Sequence, residues 1–334
     1  MMHDYPDPDS LASAMALAYF ARLRHKMRTK IAFGGLITRA ENRAMVRQLG
    51  LKLTHVSKIR WDRYKCVATV DTQPGFGNNS LPENVHPKIV IDHHPAAAGQ
   101  MHAKFSDIRP DYGASATILL EYLHVADINI SVDLATGITY AIRSETQELG
   151  RDASAQDVEA YLAVYPKANK RKLSRMYNPK LPNEYFILLH TALQQAKVFR
   201  HLSHVHLGPV ISPEFVPQIA DLLLRQERIG WAFVTGQYND QLFVSLRSSQ
   251  PNANAGSVLK RTLRNLGSAG GHNMMAGGRI ERNDIHEPDW QKLQETILTR
   301  FLRRLGYKEN SEWKPLLERN GNVGNTTNHA KSAF

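Results

Sequence analysis

The sequence is poor in cysteine, in acidic residues and in long apolar runs. Its single cysteine, Cys66, excludes an internal disulfide framework and favours a reducing compartment. No apolar run is long enough to span a bilayer, and no basic leader precedes an apolar core, so we expect a cytoplasmic protein with no membrane partner. The 334 residues, 42% hydrophobic and 22% charged, indicate a globular chain of about two domains.

The shortage of acids leaves a strongly basic chain. Lys and Arg number 42 against 31 Asp and Glu, which gives a formal net charge of +11 and a pI near 9.7. This charge suits a polyanionic partner such as nucleic acid, a nucleotide or pyrophosphate, although a generally basic solvated surface is the alternative. The denser clusters, at 22–30, 167–172 and 300–308, lack the interleaved aromatic residues of a single-strand binding platform.

Strand and helix patterns alternate through the first half of the chain. Apolar runs at 30–37, 65–71 and 88–92 predict strands, and helical periodicity follows at 10–25, 38–50, 113–126 and 132–143. Such alternation predicts an α/β fold with a parallel sheet covered on both faces. Asp71 and Asp92 end two of these strands, at the edge where such sheets bind ligands.

The second half predicts a smaller α/β domain. Helical patterns at 216–230 and 257–267 flank a hairpin at 231–249, whose turn is Asn239–Asp240. Polarity rises between about 150 and 184, which indicates helices and loops that connect two domains. We therefore predict a first domain at 1–150, a helical linker at 151–200, a second, smaller domain at 201–312 and a disordered tail at 313–334.

Acids and histidines cluster in three short stretches. In HDYPDPDS, Pro6 and Pro8 hold the loop extended, so that Asp7 and Asp9 can project to one side before a helix. Asp71 ends one strand, and Asp92, His93 and His94 end the next. Each stretch alone also fits a helix cap or a polar turn. Together they predict a set of oxygen and imidazole ligands for divalent metal ions that act on phosphate esters.

These stretches resemble, in order, the motifs of a known enzyme superfamily. HDYPDPDSLASA, VDTQ, IDHHP and GITYAIRSETQELGR are similar to the four motifs of the DHH phosphoesterases, and GGLITRAENRAMV resembles the unit between the first two. VSLRSS (244–249) and SAGGHNMMAGG (268–278) resemble the signatures of the DHH-associated domain. The resemblance spans roughly residues 2 to 310 and points to enzymes of the nanoRNase, 3′-phosphoadenosine 5′-phosphate phosphatase and RecJ types.

The resemblance implies a role for each residue of these motifs. One metal ion would be bound by His3, Asp7, Asp71 and Glu145, and the other by Asp9, Asp71 and His93. A hydroxide bridging the two ions would be the nucleophile, with His94 facing the phosphate and Asp92 supporting the imidazoles. Manganese is the implied ion, and magnesium and cobalt also suit these ligands. The substrate would be held by Arg247, Ser248, Gly270, Gly271 and His272.

Two features depart from the family pattern. Glu145 stands where the family has Asp, and its extra methylene moves the carboxylate by about 1 Å, so we expect weakened activity. Only Met1 and Met2 precede His3, where the family has an apolar strand. Unless the true start lies upstream, we expect the first motif to be weakly anchored.

The resemblance leaves the substrate open. The length, the glycine–histidine signature and the lack of a preceding membrane segment favour a two-domain hydrolase for short RNA or DNA oligonucleotides or small phosphorylated nucleotides. The alternatives are a nucleotide-binding protein with an impaired metal site and a RecJ-like exonuclease for single-stranded DNA. A homodimer is one possible assembly.

Overall fold

In the computed structural model the chain divides into two compact units, Met1–Lys180 and Leu181–Phe334, here called unit 1 and unit 2. The structure describes residues 1–37, 39–96, 103–150, 152–271, 273–281, 290–307 and 312–317. The division falls within the segment 151–200 that the sequence suggests as a linker.

Unit 1 alternates short strands with longer helices, as the sequence pattern predicts. Its elements are β1 (Ile31–Phe33), β2 (Leu53–His55), β3 (Ala68–Val70), β4 (Ile89–Asp92) and β5 (Phe105–Ile108), with α1 (Pro8–His25), α2 (Ala40–Leu49), α3 (Ser115–Val125), α4 (Val132–Glu145), α5 (Ala155–Val164) and α6 (Lys170–Tyr177). The sequence analysis did not anticipate β2 and β5, which are short and only partly buried.

The strands of unit 1 are parallel, and residues 1–4 join their two groups. β1 pairs with β2, and β3, β4 and β5 pair in that order. Between β1 and β3, the amide of Met2 donates to the carbonyl of Ala32 (3.0 Å), and the amide of Val70 donates to the carbonyl of Met1 (3.0 Å). The weak anchoring expected for the first motif is therefore not observed, because its backbone is bonded to strands on both sides. These carboxyl ends meet at one edge.

Helix caps fix where the site-bearing helices begin and end. α1 starts after Asp7, whose carboxylate accepts a hydrogen bond from the amide of Ser10 (2.9 Å), and Pro8 occupies the first turn without losing a needed donor. Gly50 is the C-cap of α2, with a φ of 62°. Glycine adopts this left-handed conformation at little energetic cost because it has no side chain. The unit's core is formed mainly by α1, α3 and α4, with Leu11, Leu119 and Ile138 among its fully buried side chains.

Unit 2 is built on a seven-stranded mixed sheet. Its elements are α7 (Asn183–Gln195), β6 (Lys197–Phe199), β7 (Leu202–Pro209), α8 (Phe215–Leu223), β8 (Trp231–Tyr238), β9 (Gln241–Ser248), α9 (Ala255–Thr262), β10 (Ser268–Gly271), β11 (Met275–Glu281), α10 (Trp290–Arg304) and β12 (Lys314–Pro315). The strand order is β10-β11-β9-β8-β7-β6-β12, in which only β7 and β8 run parallel.

Alternation along β8 gives unit 2 a core on each face of its sheet. Phe233 packs in one core with α9 and α10, whereas Val234 packs in the other with α7 and α8. The predicted hairpin is confirmed: Asn239 and Asp240 connect β8 to β9 with φ values of 46° and 57°, as a type I′ turn requires.

The segments interpreted from sequence as linker and tail are both partly built into the units. α5 and α6 lie in unit 1 and α7 lies in unit 2. β12 pairs with β6, so residues 314 and 315 extend the sheet where the sequence analysis places a disordered tail; residues 318–334 lie outside the described residues. Among the helices that the structure describes, none combines the length and apolarity needed to cross a membrane.

Candidate metal centre

Asp71 lies between two groups of candidate metal ligands in unit 1. Its Oδ2 is 3.5 Å from Nε2 of His3, and its Oδ1 is 3.6 Å from Nε2 of His93. His3, Asp7 and Asp71 form one group of mutually close donor atoms, and Asp71, His93 and His94 form the other. A carboxylate that presents one oxygen to each group is placed to bridge two cations.

The backbone at Asp71 is unusual for a residue with a side chain. Asp71 follows β3 with a φ of 59°, in the left-handed region, and its amide donates to the carbonyl of Ile91 (2.9 Å). Such conformations cost of order 1–3 kcal/mol and tend to mark functional sites. The turn directs a 1%-exposed carboxylate into the site instead of continuing the strand.

His3 is oriented to offer a lone pair to this carboxylate and to Asp7. Its Nδ1–H donates to the carbonyl of Asp4 (2.8 Å), which leaves Nε2 facing Asp7 at 3.4 Å. Burial works to lower the pKa of His3, but the two carboxylates outweigh it and raise the pKa well above its usual value. His3 likewise outweighs the effect of burial on Asp7 and lowers the pKa of that carboxyl.

His93 is held in the same way on the other side of Asp71. Its Nδ1–H donates to the carbonyl of Tyr112 (3.0 Å), and its buried Nε2 has no hydrogen-bond partner in the part of the chain that the structure describes. Leaving a buried acceptor without a partner costs about 1–3 kcal/mol. An imidazole nitrogen aimed at two carboxylates, but bonded to neither, fits a metal ligand.

Asp9 is buried at the start of α1, against the start of α3. Its carboxylate oxygens accept from the amides of Ser115 (2.7 Å) and Ala116 (2.9 Å), and its Oδ2 is 3.9 Å from Nε2 of His93. Burial raises the pKa of Asp9 well above its usual range, and the nearby charges of Asp71 and Glu145 raise it further. This excess of negative potential is what a bound cation would neutralise.

Asp92 and His94 form a supporting pair beside this group. Nδ1 of His94 donates to Oδ1 of Asp92 (2.8 Å), and Nε2 of Gln73 donates to Oδ2 of Asp92 (2.8 Å). Burial works to lower the pKa of His94, but its hydrogen bond to Asp92 and the charge of Asp71 raise the pKa to about 9. The roles predicted for both residues remain predictions, and the geometry agrees with Asp92 orienting the His94 ring.

Glu145, the last residue of α4, lies at the border of the site. Its charge raises the pKa of both Asp9 and His94, so its carboxylate is near them. Among the described residues, however, neither close group of donor atoms includes Glu145. The longer side chain is thus near the centre without joining the cluster of His3, Asp7 and Asp71.

The predicted substrate residues lie in unit 2, and two of them are engaged within it. Arg247 of β9 is 9% exposed; its Nε donates to Asp221 (2.6 Å) and its Nη1 to the carbonyl of Leu246 (3.2 Å). Ser248 is 1% exposed and donates its hydroxyl to the carbonyl of Gly230 (3.1 Å). A phosphate would compete with Asp221 for the guanidinium.

The glycine pair of β10 has two different structural roles. A Cβ on Gly271, whose φ is 145°, would lie 2.2 Å from the carbonyl oxygen of Met275, so the hairpin with β11 demands glycine there. A Cβ on Gly270 would meet nothing within 4 Å, and its strand is exposed. His272 lies outside the described residues.

Some supporting residues were not recognised in the sequence. Gln73, the last residue of VDTQ, is fully buried and ties Asp92 to the His94 backbone (3.2 Å). Ser115 donates its hydroxyl to Asp71 (3.0 Å) and its amide to Asp9. The sequence signal that could have indicated this role is the run of small residues at the start of the predicted helix GASATILL. Small residues at a helix N-terminus let the backbone amides approach an anion.

The residues present fit divalent cations. Carboxylate oxygens and imidazole nitrogens are ligands that manganese, magnesium, cobalt and zinc accept. A cation at this position would bind Nε2 of His93, which has no hydrogen-bond partner among the described residues, and would stabilise the ionised carboxylate of Asp9, whose pKa is raised without it. An α/β unit with such a cluster at the carboxyl edge of its parallel sheet belongs to the class of candidate metal-dependent hydrolases.

Comparisons with known protein families agree with this class. The model of the DHH family N-terminal domain matches residues 1–142, and the model of the DHHA1 domain matches residues 201–301. The chain therefore carries both a DHH domain and a DHHA1 domain. This confirms the family resemblance and the fold class inferred from sequence.

Similar proteins include one sequence relative and several solved structures. An uncharacterised protein of Methanocaldococcus jannaschii is 34% identical over 318 residues, which is 92% of this chain; the chain spans 64% of that protein's length. An exopolyphosphatase-related protein from Bacteroides fragilis has a TM-score of 0.69 at 12% identity, with 91% of this chain and 92% of the other covered. RecJ from Thermus thermophilus in complex with Mn²⁺ has a TM-score of 0.50 at 16% identity, with 91% and 57% covered.

Proposed function

We propose that this chain is a two-metal phosphoesterase that hydrolyses short oligonucleotides or small phosphorylated nucleotides such as 3′-phosphoadenosine 5′-phosphate. The observation that carries the proposal is the placement of Asp71, which faces His3 with one carboxylate oxygen and His93 with the other. A carboxylate shared in this way would let two cations lie close enough together to act on one phosphate ester.

The chain's residues would divide between two cations around Asp71. His3 and Asp7 would hold one ion, with Glu145 beside it, whereas Asp9 and His93 would hold the other. When bound, the ions supply Lewis acids for the phosphoryl oxygens and an activated water. Manganese is the ion that we propose, because the mixed set of carboxylates and imidazoles suits it and because RecJ, a structure of similar fold, is a Mn²⁺ complex.

The protein itself orients the ligands and the substrate. Backbone carbonyls fix the donor nitrogens of His3 and His93, so neither imidazole has to reorganise on binding. Asp92 fixes the ring of His94 next to Asp71, where an imidazole can hydrogen-bond a phosphoryl oxygen. In unit 2, Arg247 offers a guanidinium fork once an anion displaces Asp221.

The net charge supports a nucleic-acid or nucleotide substrate. With a formal net charge of +11, the chain attracts polyanions and disfavours cationic substrates. The names of two proteins of similar fold, an exopolyphosphatase-related protein and RecJ, point to phosphate polymers and nucleic acid respectively.

The test is metal-dependent release of mononucleotides by the purified chain. The substrates are a labelled RNA trinucleotide, 3′-phosphoadenosine 5′-phosphate and a DNA strand of twenty nucleotides, each with Mn²⁺ and with chelator. We expect turnover of the first two with Mn²⁺, and loss of that turnover in Asp71→Asn. Asp62→Asn makes the same chemical change at a 71%-exposed surface site and should retain activity.

Each outcome has a distinct meaning. Degradation of the DNA strand alone would replace the proposal with a RecJ-like exonuclease. Full activity in Asp71→Asn, or equal activity in chelator, would contradict a metal centre at Asp71.

The second candidate is a nucleotide-binding protein with an impaired centre. It is favoured by Glu145, whose longer side chain stands where the family resemblance implies Asp. Metal content separates the two functions, because the enzyme should hold about two Mn²⁺ ions per chain. A chain that binds the nucleotide but holds fewer ions and turns over none of the substrates would favour the binder.

A further inference from the structure

A long stretch of unit 1 carries positive charge without any acid. Residues 10–40 contain neither Asp nor Glu, and five cations alternate along 22–30: Arg22, Arg24, Lys26, Arg28 and Lys30. All nine residues of 22–30 are exposed, and none of the five cations forms an ion pair with an acid in the described parts of the chain. The metal centre does not use this cluster.

The cluster borders a pocket where the chain leaves α1. This pocket, here called the basic pocket, has a volume of about 720 Å³. Arg22, Lys26 and Arg28 supply its charge, and Met15, Tyr19 and Ile31 are among its apolar lining. The guanidinium of Arg22 lies 5.2 Å from the ring centre of Tyr19, whose hydroxyl donates to the carbonyl of Asn129 (2.9 Å). No acidic side chain is among the described residues that line it.

The helix end alone does not account for so many cations. The carboxyl end of an α-helix carries about half a negative charge, whose influence fades within the last turn. Arg22 and Arg24 lie in that turn, but Lys26 is the C-cap and Arg28 and Lys30 lie beyond the helix. The positive charge therefore exceeds what stabilisation of α1 requires, and it faces solvent.

The basic pocket is separate from the metal centre. α1 begins at the centre, where Asp7 and Asp9 lie, and it ends at the pocket. Asp9 and Arg22 are separated by about 20 Å along the helix axis, at about 1.5 Å per residue. The same phosphate group cannot contact both.

We propose that the basic pocket is a second binding site for the phosphate backbone of single-stranded nucleic acid, at the opposite end of α1 from the metal centre. Three cations at the rim neutralise phosphates, and the apolar lining and the Tyr19 ring accommodate a sugar or a base. The inference extends the proposed function, since it assigns binding of a longer strand to a surface that catalysis does not need. A concave, partly apolar pocket favours this ligand over an anionic membrane, which would meet a protruding apolar face.

The test is binding of a fluorescein-labelled U20 RNA, followed by anisotropy in chelator so that no hydrolysis occurs. The variant Arg22→Gln/Lys26→Gln/Arg28→Gln should bind at least tenfold more weakly at low salt. Its plot of log affinity against log salt should be shallower by about 2, because each neutralised phosphate of a single strand contributes about 0.7 to the slope. The single variant Arg28→Glu, which lies past the helix end, should weaken binding in the same direction.

The matched control removes the same charge from residues 167–175, a stretch that contains the basic cluster 167–172. Lys167→Gln/Arg171→Gln/Arg175→Gln changes three exposed cations of unit 1 and should bind U20 within about twofold of the parent chain at matched salt. Equal weakening in both triple variants would overturn the inference, since it would show a general effect of net charge. Retained RNA binding with lost binding to phosphatidylserine vesicles would also overturn it and would assign the pocket to a membrane surface.

Hydrolysis of the RNA trinucleotide keeps this inference distinct from the proposed function. The pocket variant should cleave the trinucleotide as the parent chain does, because its substitutions lie far from the metal centre. A parent chain that binds U20 through the pocket but cleaves nothing would contradict the proposed function and leave the pocket assignment standing.

Discussion

The Nδ1–H group of His93 donates to the backbone carbonyl of Tyr112 at 3.0 Å, and this one bond decides what the other ring nitrogen can do. It fixes the tautomer in which Nε2 carries a lone pair, and it turns that lone pair toward Asp71 and Asp9. The ring therefore does not have to change its orientation or tautomer when Nε2 binds a cation.

Replacement of His93 should therefore weaken metal binding strongly. We expect His93→Ala to lower the affinity for Mn²⁺ by at least about 100-fold, because even partners outside the ligand set are worth about 10–100-fold. Isothermal titration calorimetry measures the change, and His86→Ala, at an exposed histidine of the same unit, is the control. Unchanged Mn²⁺ affinity in His93→Ala would remove His93 from the ligand set.

Shortening Glu145 should improve the centre. Glu145→Asp restores the shorter carboxylate that the family resemblance implies at this position, and we expect tighter Mn²⁺ binding and a higher kcat on the RNA trinucleotide. Glu159→Asp, at an exposed position of α5, is the control. A decrease in both quantities would show that the longer side chain is the one this site is built around.

The two glycines of β10 should respond differently to alanine. Gly271→Ala puts a Cβ 2.2 Å from the carbonyl oxygen of Met275 at a φ of 145°, so we expect a loss of about 1–3 kcal/mol in the free energy of unfolding. Gly270→Ala meets nothing within 4 Å and should change that free energy by less than about 0.5 kcal/mol. Urea unfolding measures both, and equal losses would contradict this difference between the neighbours.

Unit 2 should lose stability in mild acid. Burial lowers the pKa of His204 to about 3 and that of His206 to about 4, from an unfolded value of 6.5. Below pH 6.5 the unfolded chain binds protons that the folded chain does not, so the free energy of unfolding should fall from pH 6.5 toward 4. The slope is about 1.4 kcal/mol per pH unit for each histidine.

A ring that cannot titrate should reduce this dependence. His204→Phe keeps the edge-on contact with Trp313, whose ring centre is 4.3 Å away, and removes a buried Nδ1 that has no hydrogen-bond partner among the described residues. We expect a slope smaller by about 1.4 kcal/mol per pH unit between pH 6 and 4.5. His190→Asn, at an exposed histidine of α7, should leave the slope as it is, and the same slope in all three proteins would contradict burial of a neutral His204.

The sequence could predict the site because its ligands follow regular elements. Asp71 and Asp92 come directly after apolar strands, and parallel strands bring such residues to one edge. The Asn239–Asp240 turn could also be predicted from the sequence, because few residue pairs tolerate two positive φ values.

The rest depended on contacts that no local pattern encodes. The pairing of Arg247 with Asp221 joins β9 to α8, and the bonds from Asp9 to the start of α3 cross more than a hundred residues. The anchoring of residues 1–4 could not be predicted, because four residues are too few to show the periodicity of a strand. The structure shows it through the backbone hydrogen bonds of Met2 to Ala32 and of Val70 to Met1.

The most direct test of the two-metal centre is anomalous scattering from crystals grown with Mn²⁺. The account predicts two anomalous peaks about 3.5–4 Å apart, with the carboxylate of Asp71 between them, His3 beside one and His93 beside the other. A single peak, or peaks that do not contact Asp71, would contradict the account.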